Sequence, residues 1–464
     1  MHEESLMHRV ERIHFIGIGG SGMNGIAEVL FNIGYFISGS DIVESSVTQH
    51  LEDVGIKIFI GHEEAYVEDA DVVVYSSAIS EGNVELIAAR NNRIPVVPRA
   101  EMLAEIMRFR NGIAVAGTHG KTTTTSLIAS ILSAAELDPT FVVGGLVKSA
   151  NCNAKLGTGK YLVAEADESD GSFLFLQPLI SVITNIDSDH LSAYGNDYGR
   201  LEQSFLEFSR RLPFYGVAVV CADDKNVCRL IDKIHARVIT YGFHADADVR
   251  AYDLQAINHG ECFKVVASEG NFNSAFSLPM LGAHNVQNAL AAIAVALELG
   301  VGKRSIQLAF ENFKGIDRRF QIYPNVAFGS KSITMVDDYA HHPSELVEVL
   351  KTFRVHWPDN RLVIIFQPHR YTRTRDLFED FVEVLSSVEK LFVLDVYPAG
   401  EERIEGYDGL SLVNAISKKS QGETSFISQL SDVEDILTDF VEQDDIVALL
   451  GAGSIGSLAR DFLA

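Results

Sequence analysis

The 464-residue chain has only four cysteines, Cys152, Cys221, Cys228 and Cys262. No two form a C-x-x-C pair and their spacings match no zinc pattern, so neither a redox pair nor a thiolate metal site is expected. Disulfide frameworks belong to short secreted chains; reduced, mostly buried thiols in a cytosolic protein are expected here. Cations are scarce as well: 38 Lys and Arg against 63 Asp and Glu, a formal net charge of −25. Such a chain is poorly suited to lie along a phosphate backbone, which argues against nucleic acid as a partner. It does not argue against a small nucleotide, whose phosphates one loop can hold on an acidic protein. Long apolar runs are also missing. Nothing approaches the ~18 uninterrupted apolar residues of a membrane span, and the Ala-rich segment 289–299 is too short. Residues 1–12 are charged and contain no apolar h-region, so no signal peptide is expected. There are no short repeats and no low-complexity linker.

What is present is the material of several cores: 47% hydrophobic and 22% charged residues, over a length that suggests about three domains at roughly 100–200 residues each. The first hundred residues alternate strands (12–16, 35–38, 70–76) with helical stretches (23–33), the grammar of βαβ units. A second unit opens near residue 110, with strands at 113–116, 161–164, 181–184 and 217–222. It continues with a helix at 124–135, short strands within 238–280 and a closing helix at 283–300. A third has strands at 334–336, 361–366, 391–396 and 446–450, separated by helices at 343–353, 377–385 and 432–441. The fold expected is α/β in three domains, 1–108, 109–316 and 317–464.

Three glycine loops carry unequal weight. Gly17-Ile18-Gly19-Gly20-Ser21-Gly22 fits G-x-G-x-x-G between a strand and a helix that begins at Met23, with Asp41 at the end of the second strand. That geometry serves a dinucleotide, another diphosphate ligand, or a tight turn with no ligand. Residues 451–456 repeat the pattern after an apolar strand, and close helix–strand packing is the favoured reason there. The third, Gly117-Thr118-His119-Gly120-Lys121-Thr122-Thr123, departs from the strict P-loop, since Val115 stands where its first glycine would be. The working parts remain: backbone amides to cradle phosphates, Lys121 to reach them, and Thr122 to ligate Mg²⁺.

Acids follow two strands of the same unit. Residues 165–170 hold four carboxylates, suited to Mg²⁺ beside a phosphate loop or to a solvated turn; Glu165, first to leave the strand, is the expected metal ligand. The polar turn from Asn185 reaches His190, a metal ligand or a satisfied surface group. In the third unit, DDYAHHP (337–343) and QPHRYTRTR (367–375) each follow a strand. Three arginines in six residues suit a carboxylate or a transferring phosphoryl group, or else neutralise surface acids.

Taken in order, HFIGIGGSGMNGIAEVL (14–30), SGSD (38–41), SSAI (76–79), RAEML (99–103), GTHGKTTT (117–124), EADESDGSF (165–173), TNIDSDHL (184–191), GAHNVQNALAA (282–292), DDYAHHPSE (337–345), FQPHRYTRTRDL (366–377) and YPAGE (397–401) resemble the Mur ligase family of bacterial cell-wall synthesis. The resemblance spans nearly the whole chain. It implies a Rossmann-like UDP-substrate domain, a central P-loop-type ATPase domain and a Rossmann-like amino-acid-side domain. The substrates it implies are ATP, UDP-N-acetylmuramate and L-alanine, with Mg²⁺ or Mn²⁺, in a cytoplasmic monomer or homodimer. GIGGSGM and YPAGE favour alanine addition over tripeptide recycling.

By the same resemblance Gly17, Gly19, Gly20, Ser21, Gly22, Met23, Asp41, Ser77 and Arg99 serve the UDP-sugar. ATP falls to residues 117–123 with His284, Asn288, Arg318 and Asp338. Tyr339, His341, Arg370 and Arg373 surround alanine and the transferred phosphoryl group. Lys121, His190, His341, Arg370 and Arg373 form the catalytic set, and Thr122, Glu165 and His190 the metal set. Sister ligases carry a carbamylated lysine where this chain has Phe205, so none is expected. Two rivals stand beside this reading. A nicotinamide-dependent oxidoreductase would explain Gly17 to Gly22 but not the Lys121 loop. A nucleotide-hydrolysing switch would explain that loop but not the paired clusters of the third unit.

Overall fold

The computed structural model describes Met7 and residues 9–20, 22–76, 78–148, 152–189, 191–268 and 272–462. Three sheets account for its strands. The first contains β1 (Arg12–Ile16), β2 (Phe36–Asp41), β3 (Lys57–Ile60), β4 (Val72–Tyr75) and β5 (Val96–Pro98). All its pairings are parallel, in the order β3-β2-β1-β4-β5. Strand order therefore reverses beside β1, and the glycine loop leaves the C-terminal end of that strand, where open α/β sheets bind ligands.

The second sheet holds β6 (Asn111–Ala116), β7 (Thr140–Val147), β8 (Cys152–Lys155), β9 (Tyr161–Glu165), β10 (Ile180–Ile183), β11 (Val217–Cys221), β12 (Arg237–Gly242), β13 (Val249–Ile257), β14 (Gly260–Ala267) and β15 (Phe272–Leu278). Their order is β15-β14-β13-β12-β11-β10-β6-β9-β7-β8. Here β6 lies between β10 and β9, so the Lys121 loop is flanked by the chain ends that carry the two acidic turns. The third sheet has β16 (Gln321–Phe328), β17 (Lys331–Asp338), β18 (Leu362–Phe366), β19 (Lys390–Leu394), β20 (Glu423–Ile427) and β21 (Ile446–Leu450), ordered β16-β17-β21-β18-β19-β20 with only β16 antiparallel.

By contacts the chain divides into two units. One runs to Leu254 and takes in Phe263–Leu278 and Asn285–Lys314; the other comprises Gln255–Cys262, Pro279–His284 and the chain from Gly315. In the first, a single apolar cluster joins β1 and the helix Met23–Ile33 to the central sheet, through residues such as Ile26, Met107, Val142 and Phe205. In the second, strand alternation feeds two cores. Ile364, Phe366, Ala448 and Leu450 face one, and Val363, Ile365, Val447 and Leu449 face the other. That is why these strands read as continuous apolar runs: a parallel sheet buried on both faces has no polar side.

Departures from the expected elements have local causes. The helix after the Lys121 loop begins at Lys121, three residues early. Thr122–Thr125 is a β-branched run, unfavourable in a helix, but all four threonines are buried and packing overrides propensity. The sequence reading passed over helix Ser46–Asp53, whose Ser45 and Thr48 form a capping box, and β3, β16 and β20, which are outer strands of partial burial. Of the cysteines, Cys221 is buried but Cys228 is exposed, and all four are free. No described helix is long and apolar enough to cross a membrane.

Candidate functional site

The Lys121 loop is shaped by two glycines that nothing else can replace. Gly117 has φ +132°, and a Cβ there would lie 2.0 Å from Thr184 Oγ1; Gly120 has φ +82°, and its Cβ would lie 2.4 Å from Asn288 Oδ1. The close approaches let neighbouring elements grip the loop. Thr184 Oγ1 and Asn185 Nδ2 donate to His119 O (2.6 and 3.0 Å), and His119 N donates to Asn185 Oδ1 (2.8 Å). Asp187 N donates to Thr118 Oγ1 (2.9 Å), and the His119 ring lies 3.2 Å from the Asp187 carboxylate. Asn288 accepts from Thr124 Oγ1 (3.3 Å). The helix Lys121–Ala134 then starts with no side-chain cap and no acid in its first turn. Its leading amides, those of Thr122 and Thr123 among them, are capped by no side chain, the arrangement in which a helix start can receive an anion.

Lys121 occupies the loop itself. Its Nζ donates to Gly117 O (2.7 Å), Thr118 O (3.2 Å) and Glu168 Oε2 (2.7 Å). Burial alone would lower the ammonium pKa, but Glu168, Asp167 and Glu165 outweigh it and raise it. Glu168 is 1% exposed; burial pushes its carboxyl up to about 7 against the pull of Lys121. Its Oε1 is buried without a hydrogen-bond partner, and its carbonyl accepts the Tyr194 hydroxyl. The sequence reading favoured Glu165. That residue ends β9, and its Oε1 accepts from Gly144 N (2.7 Å). Four acids in six residues did not reveal that Glu168 is the one turned inward onto the lysine.

The first glycine loop is closed by its own acid: Gly19 N donates to Asp41 Oδ2 (3.0 Å), and a Cβ on Gly19 would lie 2.9 Å from that oxygen. Gly20 N donates to Gly17 O (3.0 Å). The helix Met23–Ile33, with Met23 fully buried, again begins uncapped and without acids. Its N-cap, Gly22, has φ +79°, a conformation that favours glycine, and a Cβ there would lie 2.9 Å from Arg99 Nη1, so a side chain would displace the guanidinium. Arg99 also reaches Asp167 Oδ2 (3.3 Å). One guanidinium thus joins the first loop to the acidic turn beside Lys121. Burial acts to raise Asp167, but the charges of Lys121 and Arg99 and the bonds from Ser169 hold its carboxyl below the usual range. Ser21, Ser77 and His190 lie outside the described residues.

The remaining predicted residues fall in or at the edge of the second unit. Asp338, at the end of β17, accepts from Phe320 N (2.6 Å) and Ala340 N (2.7 Å), and burial raises its carboxyl to about 6. Arg318 donates to Gly451 O and lies 3.4 Å from Asp337, and a Cβ on Gly456 would strike its guanidinium. Residues 451–456 are thus filled by protein side chains, Gln367 Oε1 accepting from Ile455 N included (2.9 Å). Tyr339, His341 and His369 form a run of edge-on rings, with centroids 5.4 and 5.8 Å apart. His341 Nδ1 lies 3.3 Å from Glu345, and Arg373 Nη1 lies 3.3 Å from His369 Nδ1. Arg370 caps the next helix at φ +70°, a conformation rare for a non-glycine residue. Glu401 of YPAGE accepts from Thr372 N (2.9 Å) and Oγ1 (2.7 Å), fastening that segment to the arginine cluster. His369 and Glu401 stood inside quoted motifs without an assigned role. His284 is half-buried, and desolvation lowers its imidazole pKa.

Phe205 is fully buried, its ring centroid 5.3 Å from that of Phe173.

A glycine loop carrying Lys121 beside the buried Glu168, in a chain of three α/β sheets, is the arrangement of a nucleotide-dependent enzyme of three α/β domains. The chain belongs to the Mur ligase family. Residues 12–111 match the pattern described as Mur ligase family, catalytic domain; 115–296 match the Mur ligase middle domain; and 318–453 match the Mur ligase, glutamate ligase domain. It is 55% identical to the UDP-N-acetylmuramate–L-alanine ligase of Methylococcus capsulatus over 98% of this chain and 96% of that one. It is 52% identical to the ligase of the same name from Halorhodospira halophila, over 99% and 94%. Among solved structures, the UDP-N-acetylmuramate-alanine ligase of Thermotoga maritima superimposes with a TM-score of 0.82 at 30% identity, covering 97% of this chain and 98% of that one. A murein peptide ligase from Psychrobacter arcticus shares the fold at a TM-score of 0.71 and 24% identity, covering 98% of each chain.

Proposed function

We propose that the chain joins L-alanine to the lactyl carboxylate of UDP-N-acetylmuramate at the expense of ATP, through an acyl phosphate, in the bacterial cytoplasm. The observation that carries the reading is Lys121, set in a glycine loop at an uncapped helix start and backed by the buried Glu168. Relatives above 50% identity across almost the whole chain supply the substrates. The domains are assigned as 1–108 for the UDP-sugar, 109–316 for ATP and 317–464 for the amino acid.

A free carboxylate does not form an amide in water, because its oxygen is a poor leaving group. Attack of the lactyl carboxylate on the γ-phosphorus of ATP breaks the bond to the β,γ-bridging oxygen, releases ADP and leaves an acyl phosphate, from which phosphate is a good leaving group. Lys121 and the helix amides from Thr122 onward face the charge that spreads over the phosphoryl oxygens. Gly117, Thr118, His119, Gly120 and Thr123 shape that cradle, and His284, Asn288, Arg318 and Asp338 complete the nucleotide's surroundings. Gly17, Gly19, Gly20, Ser21, Gly22, Met23, Asp41, Ser77 and Arg99 hold the UDP-sugar. The neutral amine of alanine then attacks the acyl carbon, and phosphate departs. Tyr339, His341, Arg370 and Arg373 orient the amine and the leaving phosphate.

The oxygen donors around Lys121 suit a hard divalent ion, Mg²⁺ or Mn²⁺, and the buried unpartnered Glu168 oxygen marks unsatisfied acceptor capacity there. Thr122, Glu165 and His190 are assigned to hold the ion. When bound, it supplies charge neutralisation at the phosphoryl oxygens.

The test is phosphate release from ATP and Mg²⁺, with UDP-N-acetylmuramate and L-alanine each added or withheld. Release that needs both, with a product heavier by one alanine residue, is expected. Release with neither would make the protein a nucleotide switch and end the ligase reading.

A further inference from the structure

Under the first sheet lies a polar cluster that the proposed chemistry does not use. Glu85 and His14 have fully buried side chains. Glu85 sits in the first turn of the helix Val84–Asn91, fixed by Asn83, whose side chain accepts from Glu85 N (2.9 Å) and Leu86 N (3.3 Å). Both of its oxygens are engaged. Oε1 lies 2.7 Å from His62 Nδ1; Oε2 lies 2.8 Å from His14 Nε2 and 2.9 Å from Ser40 Oγ. His14 Nδ1 in turn lies 2.9 Å from Ser38 Oγ. One carboxylate therefore ties together β1 (His14), β2 (Ser40), the turn after β3 (His62) and a helix. A buried polar cluster of this kind is strongly stabilising only when every member is satisfied. Burial acts to raise the Glu85 carboxyl, but the donors around it hold it below the usual range, so it is the ionised acceptor at neutral pH. His14 Nε2 and His62 Nδ1 must then carry hydrogens.

The end of this cluster touches the first glycine loop. Ser40 is the second-last residue of β2, and its carbonyl accepts both Gly17 N (2.8 Å) and Ile18 N (3.0 Å). At the preceding residue the strand and loop are already in contact: a Cβ on Gly39 would lie 2.5 Å from Ile18 Cδ1. The loop is thus bonded to the end of β2, and that end is in turn bonded to Glu85 through the Ser40 hydroxyl. We infer that Glu85 is a positioning residue for the UDP-substrate loop, setting its place through Ser40 without touching the substrate. A glutamate on a solvated helix could not do this; one desolvated among three donors can, because moving any of them strands a buried charge.

The inference rests on the assignment of that loop to UDP-N-acetylmuramate, and the experiment separates the two. Steady-state ligation is measured for wild type and Glu85→Gln, with the UDP-sugar and ATP varied in turn, alongside calorimetric binding of UDP-N-acetylmuramate. The amide keeps the shape but turns an N–H₂ group towards donors. The KM for the UDP-sugar should rise roughly tenfold, about 1.4 kcal/mol, with kcat and the KM for ATP changed by less than about twofold. A carboxylate that merely stabilised the sheet would, on replacement, lower the active fraction and kcat and leave KM alone; that outcome overturns the inference. Should Glu85→Gln fail to fold, Ser40→Ala removes the hydroxyl that joins β2 to Glu85 (2.9 Å) and to His62 Nδ1 (3.2 Å), and leaves the carboxylate and both imidazoles in place. A KM rise of about threefold supports the inference, and an unchanged KM overturns it. Wild-type protein that does not bind the UDP-sugar at all overturns the functional reading and this inference together.

Discussion

Lys121 donates all of its described hydrogen bonds to the loop carbonyls and to Glu168, so its position is set before any phosphate arrives. Lys121→Ala should cut phosphate release by roughly 10²–10³-fold, the scale of losing one preorganised charge, while calorimetry finds UDP-N-acetylmuramate bound as tightly as by wild type; near-wild-type turnover would remove the lysine from the mechanism. Asp338 gives a pH-dependent test. Its carboxyl is raised from 3.8 to about 6 by burial, so between those values the folded protein holds a proton that the unfolded chain has lost. The contribution of Asp338 to stability is therefore present at low pH and declines as pH rises to about 6, by up to about 3 kcal/mol. Asp338→Asn lacks that term. Its stability relative to wild type should climb between pH 4.5 and 7.5 in urea unfolding followed by Trp357 fluorescence, and a constant difference would mean Asp338 titrates normally. Positions were legible where a motif runs off a strand: Asp41 and Asp338 each end a strand, as their segments predict, whereas Lys121, expected in a loop, opens a helix. Glu168, Glu85 and His14 were not legible. What distinguishes them is burial beside partners 47 to 71 positions away, which local spacing does not record.

At the scale of elements, the nucleotide loop and the helix Ala283–Glu298 are fitted to each other through one pair, Gly120 and Asn288. Gly120→Ala introduces two faults: a side chain at φ +82° and a Cβ 2.4 Å from Asn288 Oδ1. Together they should cost roughly 2–5 kcal/mol. Only the second is removed by Asn288→Ala. In a double-mutant cycle read by thermal unfolding, the pair should therefore couple favourably by about 1–3 kcal/mol, leaving the backbone strain behind. Zero coupling would mean that the two elements do not meet at this point. The helix was readable as an Ala-rich run, and the strands β1 and β21 and the helix Met23–Ile33 were read at their observed bounds, since apolar periodicity is strongest where burial is complete. The same logic explains two of the omissions, though not the interior strand β7. The strands β16 and β20 lie at the edges of the third sheet with half-exposed patterns, and an edge strand shows too little alternation to announce itself.

For the whole molecule, the useful fact is that its one tryptophan reports on one unit only. Trp357 belongs to the unit that begins at Gly315 and packs against Phe320 and Phe353, with ring centroids 6.3 and 5.8 Å away. Far-UV circular dichroism, by contrast, sees every helix and strand. A ligand held only by the Lys121 loop stabilises the unit that carries the loop, by about 2.7 kcal/mol at a hundredfold excess over Kd, and leaves the tryptophan transition where it was. The roles proposed above for Arg318, His341, Arg370 and Arg373 ask for more, because they assign residues of the second unit to the nucleotide and the transferred phosphoryl group. ATP analogue, Mg²⁺ and UDP-N-acetylmuramate together should therefore move the Trp357 midpoint in urea as well as the dichroism midpoint. In Lys121→Ala the analogue's contribution to both shifts should vanish. Were wild type to show the dichroism shift alone, the second unit would take no part in gripping the phosphates, and the roles given to its arginines would have to be withdrawn.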